Sequence, residues 1–206
     1  MWALVTDGSI TKIINQPKPL VIGDTQYSRN IFSFRWSNAE REAIGLYEVE
    51  FDNSNKKDEA YYTNTNQTFA FAGGKVTASY GSATAKALAD TLFTAQDEVD
   101  GKGTEGEVAA RGLKFQHKER IKQQASSELA NTDSYITRKA DAGTAIPSAV
   151  TTHRAAVRTK SGEMETAIDN AADVDALAAL YQYVNTGTEE NPVMERPLGE
   201  WPVLEV

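Results

Sequence analysis

The chain is 206 residues long, 40% apolar with 9% aromatic residues, and carries a formal net charge of −8; this composition suits a globular protein of one large or two small domains. It has no cysteine, so disulfides, thiolate metal sites and cysteine nucleophiles are excluded, and no apolar run approaches the roughly 20 residues a membrane span needs. The amino terminus, MWALVTDGSITKIINQ, has neither the basic start nor the apolar run of a secretory signal, so synthesis as a cytosolic protein is expected.

Residues 1–35 alternate β-rich runs with turn signals. Trp2–Thr6 and Ile10–Ile14 flank Asp7-Gly8-Ser9, a hairpin signal because glycine tolerates positive φ. Gln16-Pro17-Lys18-Pro19 removes two backbone donors and predicts an edge or an extended connector. Leu20–Ile22 and Ile31–Phe34 are further strand candidates. Ser37-Asn38-Ala39-Glu40 matches a capping box, and Gly45 supplies a left-handed stop, so a short helix over Asn38–Ile44 is expected. Leu46–Phe51 alternates as a strand. Ala60–Tyr62 is a short strand candidate beyond the polar turn 52–59. Gln67–Phe71 and Lys75–Tyr80 form a second hairpin around Ala72-Gly73-Gly74. Ala83–Phe93 consists largely of helix formers and predicts a helix that closes the amino-terminal domain.

The acidic, Gly-rich stretch 97–106 (DEVDGKGTEG) reads as a linker. Within it Gly101, Gly103 and Gly106 match G-x-G-x-x-G, but no apolar strand precedes them, so the linker reading is preferred over a dinucleotide loop. Glu107–Asn131 is expected as a long helix with an apolar stripe through Ala110, Leu113, His117, Ile121, Ala125 and Leu129. Thr132-Asp133 caps a short helix to Lys139, which Gly143 ends. Ile146-Pro147 opens the next long helix, with Pro147 at a position where the lost donor costs nothing, and with Val150, His153, Val157, Met164 and Ile168 as its stripe. Asp173 is the expected N-cap of a helix over Val174–Val184. The expected organisation is therefore α+β: a small, mostly antiparallel β domain with a closing helix (1–96), a linker (97–106), an α-helical module (107–186) and an extended, proline-containing tail (187–206).

The charge is unevenly spread. Residues 1–112 carry 11 basic and 15 acidic side chains for −4, residues 113–160 carry 9 and 4 for +5, and residues 161–206 carry 1 and 10 for −9. A basic block beside an acidic one points to pairing within or between subunits more than to nucleic acid, which favours a basic domain. Reaction chemistry is sparse. His117 and His153 both lie on apolar stripes and are expected as core histidines, with stacking across the helix pair one arrangement; no H-e-x-x-H-type spacing joins them into a metal site. No nucleophile elbow or phosphate loop is present. The pairs Glu163/Glu165 and Asp173/Asp175 sit where acidic residues serve solubility and capping. Neither catalytic residues nor a cofactor or metal are expected. The candidate partner-binding residues are Arg138, Arg154, Arg158 and Trp201. Arg154 and Arg158 share a helical face, with the alternative that these cations form a solvated face, pairing with the acidic carboxy-terminal block being one form of it. Trp201, in a proline-flanked tail, must fold back onto the body or anchor in a partner.

The run Thr132-Asp133-Ser134-Tyr135-Ile136-Thr137-Arg138-Lys139, then Gly143, Ile146-Pro147, Val150, His153-Arg154 and Arg158, resembles a small domain of unknown function frequent in tailed-phage genomes and typically encoded beside tail-fibre genes. That pattern has an aromatic residue after Thr-Asp, a basic residue, a Gly, Ile-Pro, an aromatic-Arg pair and a second Arg; here His153 stands where an aromatic is usual. The upstream half is similar to the β-rich part of phage tail-fibre assembly and tail accessory proteins. The resemblance implies a non-enzymatic bacteriophage tail protein that binds tail or tail-fibre subunits within a hetero- or homo-oligomeric assembly. It would be a virion component or adaptor, or alternatively an assembly chaperone in the host cytoplasm that the virion does not retain. A nucleic-acid-binding phage protein or a small hydrolase are the alternatives of another class. No membrane partner is expected.

Overall fold

Tight glycine turns organise the amino-terminal half of the chain in the computed structural model, which describes residues 1–205; Val206, the last residue of the expected tail, lies outside them. Strand β1 (Trp2–Thr6) turns into β2 (Ser9–Ile14) through Asp7 and Gly8, both at positive φ, the geometry that matches strand twist. Strands β3 (Leu20–Ile22) and β4 (Thr25–Tyr27) form a small hairpin of their own. Residues Arg29–Phe32 are a 3-10 helix rather than a strand, because the carbonyls of Ile31 and Ser33 are taken by the guanidinium of Arg41 at 2.8 and 2.6 Å. Helix α1 (Asn38–Ala43) has the expected capping box between Ser37 and Glu40. Strands β5 (Leu46–Asp52), β6 (Tyr62–Thr63), β7 (Thr68–Ala72) and β8 (Lys75–Ser79) follow, the last two joined through Gly73 and Gly74 at positive φ.

The main sheet has the order β2-β1-β5-β8-β7. It is antiparallel except for β5 and β8, which run parallel with Val49 beside Val76 and Phe51 beside Ala78. One face carries Ala3, Val5, Val49, Val76 and Ala78, flanked by Phe69 and Phe71. Ile14, Leu20, Ile31 and Leu46 make a second cluster roofed by Trp2 and Trp36.

Residues 83–93 are not a helix. They form β9 (Thr84–Ala85), an extended stretch and β10 (Thr91–Leu92). The carbonyls of Ala87 and Leu88 accept from the Leu113 and Lys114 amides at 2.9 and 3.0 Å, and the Asp90 carboxylate accepts from the Gly112 amide at 2.8 Å. Tertiary partners thus claim the carbonyls that a helix would use, and local propensity loses. Helix α2 (Ala95–Val99) and strand β11 (Val108–Ala110), paired with β10, come next, so the long helix α3 (Leu113–Ala130) starts later than Glu107. Helices α4 (Asp133–Ala142), α5 (Ser148–Asn170) and α6 (Val174–Ala179) complete the helical part, and β12 (Val184–Asn185) pairs with β13 (Met194–Glu195) in the tail.

The fold is α+β, a β region followed by helices. The chain divides into two compact units, Met1–Thr84 and the remainder from Ala85, so residues 97–106, expected as a linker, lie inside the second unit. Helices α3 and α5 pack antiparallel: Lys114 and Lys118 near the start of α3 reach the Asp169 carbonyl and carboxylate at the end of α5, both at 2.8 Å. The α5 stripe of Val150, His153, Val157, Met164 and Ile168 is buried as its period requires. Among the described residues, no helix is long and apolar enough to cross a membrane.

Candidate functional site

The corner where α3 ends, α4 leaves and α5 begins holds the residues singled out in the sequence. Its centre is Arg154. One guanidinium nitrogen donates to the Leu129 carbonyl, to the Thr132 hydroxyl oxygen and to the Asp133 carboxylate, at 2.7, 2.7 and 2.8 Å, and the side chain is only 11% exposed. The Thr132 hydroxyl in turn donates to Leu129 O at 3.0 Å, and Thr132 itself is 1% exposed. One carbonyl at the end of α3, that of Leu129, therefore accepts from an arginine of α5 as well as from the Thr132 amide and hydroxyl. Arg154 pairs with Asp133, not with the acidic carboxy-terminal block. That block meets the basic one elsewhere, through Lys118 and Asp169 at 2.8 Å.

Arg138 and Arg158 stand apart from this network. Arg138 stacks over the ring of Tyr135 at 4.7 Å and donates to Ser134 O at 3.4 Å, while Arg158 is exposed and donates to Arg154 O at 3.3 Å. The helix that carries Arg138 is unusual: α4 has no buried residue, and Ile136 is 40% exposed. Gly143, left-handed at φ 68°, ends it as expected. Trp201 folds back onto its own unit. It lies half-buried over the second half of α3, lining a shallow cleft with Gln124, Ser127 and Glu128, and the following Pro202 and Val203 run past His153. The tail is pinned just upstream by Leu198, fully buried and donating its amide to Leu180 O at 3.1 Å.

The two histidines occupy opposite ends of the antiparallel pair, so they do not stack. His117 Nδ1 lies 2.6 Å from the Tyr181 hydroxyl, and burial, then the nearby Arg120, pushes its pKa below the ordinary value. His153 is buried with an Nδ1 that has no hydrogen-bond partner among the described residues. The G-x-G-x-x-G stretch follows the carboxy-terminal end of α2, the wrong polarity for an anion. Its Lys102 pairs with Asp100 and Asp97 at 3.0 and 3.1 Å, which raises the lysine's pKa.

In the first unit an open cleft of about 610 Å³ is lined by Asn38, Glu42, Glu48, Glu50 and the 73–75 turn, with Lys75 and Glu50 paired at 2.9 Å. No group of three His, Asp or Glu side chains among the described residues is placed to hold a metal. Sequence reasoning missed Arg41, the buried counterpart of Arg154 in the first unit. It bonds Ile31 O, Ser33 O and Asn38 Oδ1 and lies 4.8 Å from the Trp2 ring; a lone arginine in a short helix carries no pattern that would reveal this. No protein-family model matches the chain, and neither a curated protein nor a solved structure matches it.

Proposed function

We propose that this protein works by binding other proteins, as a component or adaptor of a bacteriophage tail or tail fibre. The reading rests on the resemblance over Thr132–Arg158, and the observation that carries it is the presentation of α4. Arg154 fixes the base of that helix, yet none of its side chains is buried within the chain. Isolated helices of this length are marginal in water and gain most of their stability from packing. A ten-residue helix held at its start by Arg154 and exposed along the rest of its length, half-buried Tyr135 excepted, suits a contact surface. Arg138 and Lys139 would serve such a contact, while Arg154 acts as the positioning residue behind them and Trp201 holds the tail against α3.

The test combines mass spectrometry of purified virions with a co-expression pull-down using the neighbouring fibre protein. Presence in virions at a fixed ratio to tail proteins is the expected result. Capture of the fibre without retention in virions would replace this reading with an assembly chaperone, and absence from both would overturn it.

A further inference from the structure

The end of the tail lies in a groove of its own unit that it does not fill. Beyond the fully buried Leu198, Gly199 turns at φ 90°, and residues 200–205 make no backbone hydrogen bond among the described residues. Trp201 is half-buried against the second half of α3, whereas Val203 is 82% exposed. Open clefts of about 350 and 380 Å³ remain beside the segment, and Pro202, Val203 and His153 border both. His153 is 8% exposed, and its enclosed Nδ1 has no hydrogen-bond partner among the described residues, an uncommon state for a buried polar atom. Pro202, which runs past it, has no amide hydrogen to give. Glu205 borders the first of these clefts together with Ser148 and Ala149, in the first turn of α5. That helix has Pro147 as its N-cap, no side-chain cap and no acidic residue in its first turn, so a carboxylate is favoured there.

We propose that this groove, between the second half of α3 and the first turns of α5, docks an extended segment of another protein, and that the chain's own tail is a displaceable occupant. The seated tail defines the chemistry of the partner. It has an aromatic anchor in the place of Trp201 and a carboxylate in the place of Glu205. Between them, in the place of Pro202, it has a residue whose peptide N–H bonds His153 Nδ1, which a neutral imidazole nitrogen accepts. That is the bond the tail leaves unmade. The tail competes from within the chain at a high effective concentration, so a partner succeeds through the added bond and a better filling of the clefts. A second copy's tail carries the same proline and gains neither. The groove does not involve α4, and the inference stands whether or not the protein belongs to a phage tail.

The experiment titrates the full chain into labelled hexapeptides with the sequence of residues 200–205 and reads fluorescence anisotropy. One peptide is as in the chain, a second carries Pro202→Ala and a third Trp201→Ala. The full chain with Trp201→Ala, whose own tail has lost its anchor, is expected to bind the first two and not the third. Wild type should bind them at least about tenfold more weakly, because its tail holds the groove. The preference for the Pro202→Ala peptide over the first should be about fivefold greater in this chain than in the same chain with His153→Phe, as one hydrogen bond brings; the stiffness of proline is common to both and cancels. Helical ellipticity shows whether each variant is folded. In wild type itself, excess Pro202→Ala peptide should move the indole resonance of Trp201 to its exposed position, a readout that needs no variant. The inference is overturned if the folded Trp201→Ala chain binds no peptide, if wild type binds as tightly as that chain, or if the preference is unchanged by His153→Phe. An unmoved indole resonance overturns it where Trp201→Ala does not fold. Self-association of wild type in sedimentation, lost in Trp201→Ala, would assign the groove to a second copy's tail and overturn it as well.

Discussion

Arg154 and Arg138 sit on the same corner and have opposite roles. Arg154 is nearly enclosed and holds three oxygens from α3 and α4. Its removal takes from the buried Thr132 oxygen the donor it accepts from, while Leu129 O keeps the Thr132 amide and hydroxyl, and the loss costs the desolvation of a group that water cannot reach. Arg154→Ala is expected to destabilise the helical unit by about 2 kcal/mol in urea unfolding, and Arg154→Lys should recover part of this, since a single guanidinium nitrogen makes all three bonds and an ammonium carries three donors. Arg138→Ala, exposed and stacked on its own helix, should fall within about 0.5 kcal/mol of wild type. Equal losses for both would mean that the corner is not held as described. His117 gives the pH dependence at this scale. Its pKa is depressed below 6.5 by burial and by Arg120, so the folded state favours the neutral ring that lies against Tyr181. As pH falls below about 6.5, the unfolded chain takes up the proton first, and stability declines until the folded ring is protonated too. The unfolding midpoint should therefore be flat above pH 7 and fall between pH 6.5 and the lowered value, and His117→Asn should abolish that step. This window lies above the one in which Asp90 and Asp97, held low chiefly by backbone amides of Gly112 and Thr94, lose their contribution.

Between elements, the most demanding approach is at Gly112, the N-cap of α3. Its backbone is extended at φ −78°, so conformation does not require glycine there; space does. A Cβ at this position would run into the Ala89 carbonyl, because the 87–90 segment lies across the start of α3. Gly112→Ala is expected to cost about 1–3 kcal/mol through overpacking and to speed exchange of the Leu113 and Lys114 amides, which bond Ala87 O and Leu88 O. Unchanged exchange with unchanged stability would contradict this packing. The same crossing explains why 83–93 is extended where the sequence favours a helix: alanines and Leu88 favour a helix locally, whereas the bonds that decide come from residues more than twenty positions later. Features whose cause is local were legible. The Asp7-Gly8 and Gly73-Gly74 turns, the Ser37–Glu40 box, the Asp173 cap and the α5 stripe all follow from a few neighbouring residues. Arg154 could be placed on a helical face but not paired, because its acceptors come from the end of α3 and the start of α4, more than twenty residues earlier.

At the scale of the whole chain, two units each have their own buried side chains. Ala3, Val49 and Val76 in one cluster and Leu46 in another lie in the first; Ile121, Val157, Met164, Ile168 and Leu177 are buried in the second. The chain also provides two separate probes. Trp2 and Trp36 flank the Ile14–Leu46 cluster, while nearly all the helical backbone belongs to α3–α6. In a Trp201→Phe background, fluorescence then reports the sheet and far-ultraviolet ellipticity reports the helices. Met164→Ala deletes a fully buried side chain from α5 and should destabilise the helices by about 2–4 kcal/mol, which moves the ellipticity transition to lower urea. If the units unfold separately, the fluorescence transition stays where it was, and Leu46→Ala, fully buried in the sheet, has the reverse effect. Coincident shifts of both probes in both variants would mean that the two cores behave as one cooperative unit. Separate transitions would give the helical unit a stability of its own, so that a partner gripping α4 raises the ellipticity midpoint and leaves fluorescence unmoved.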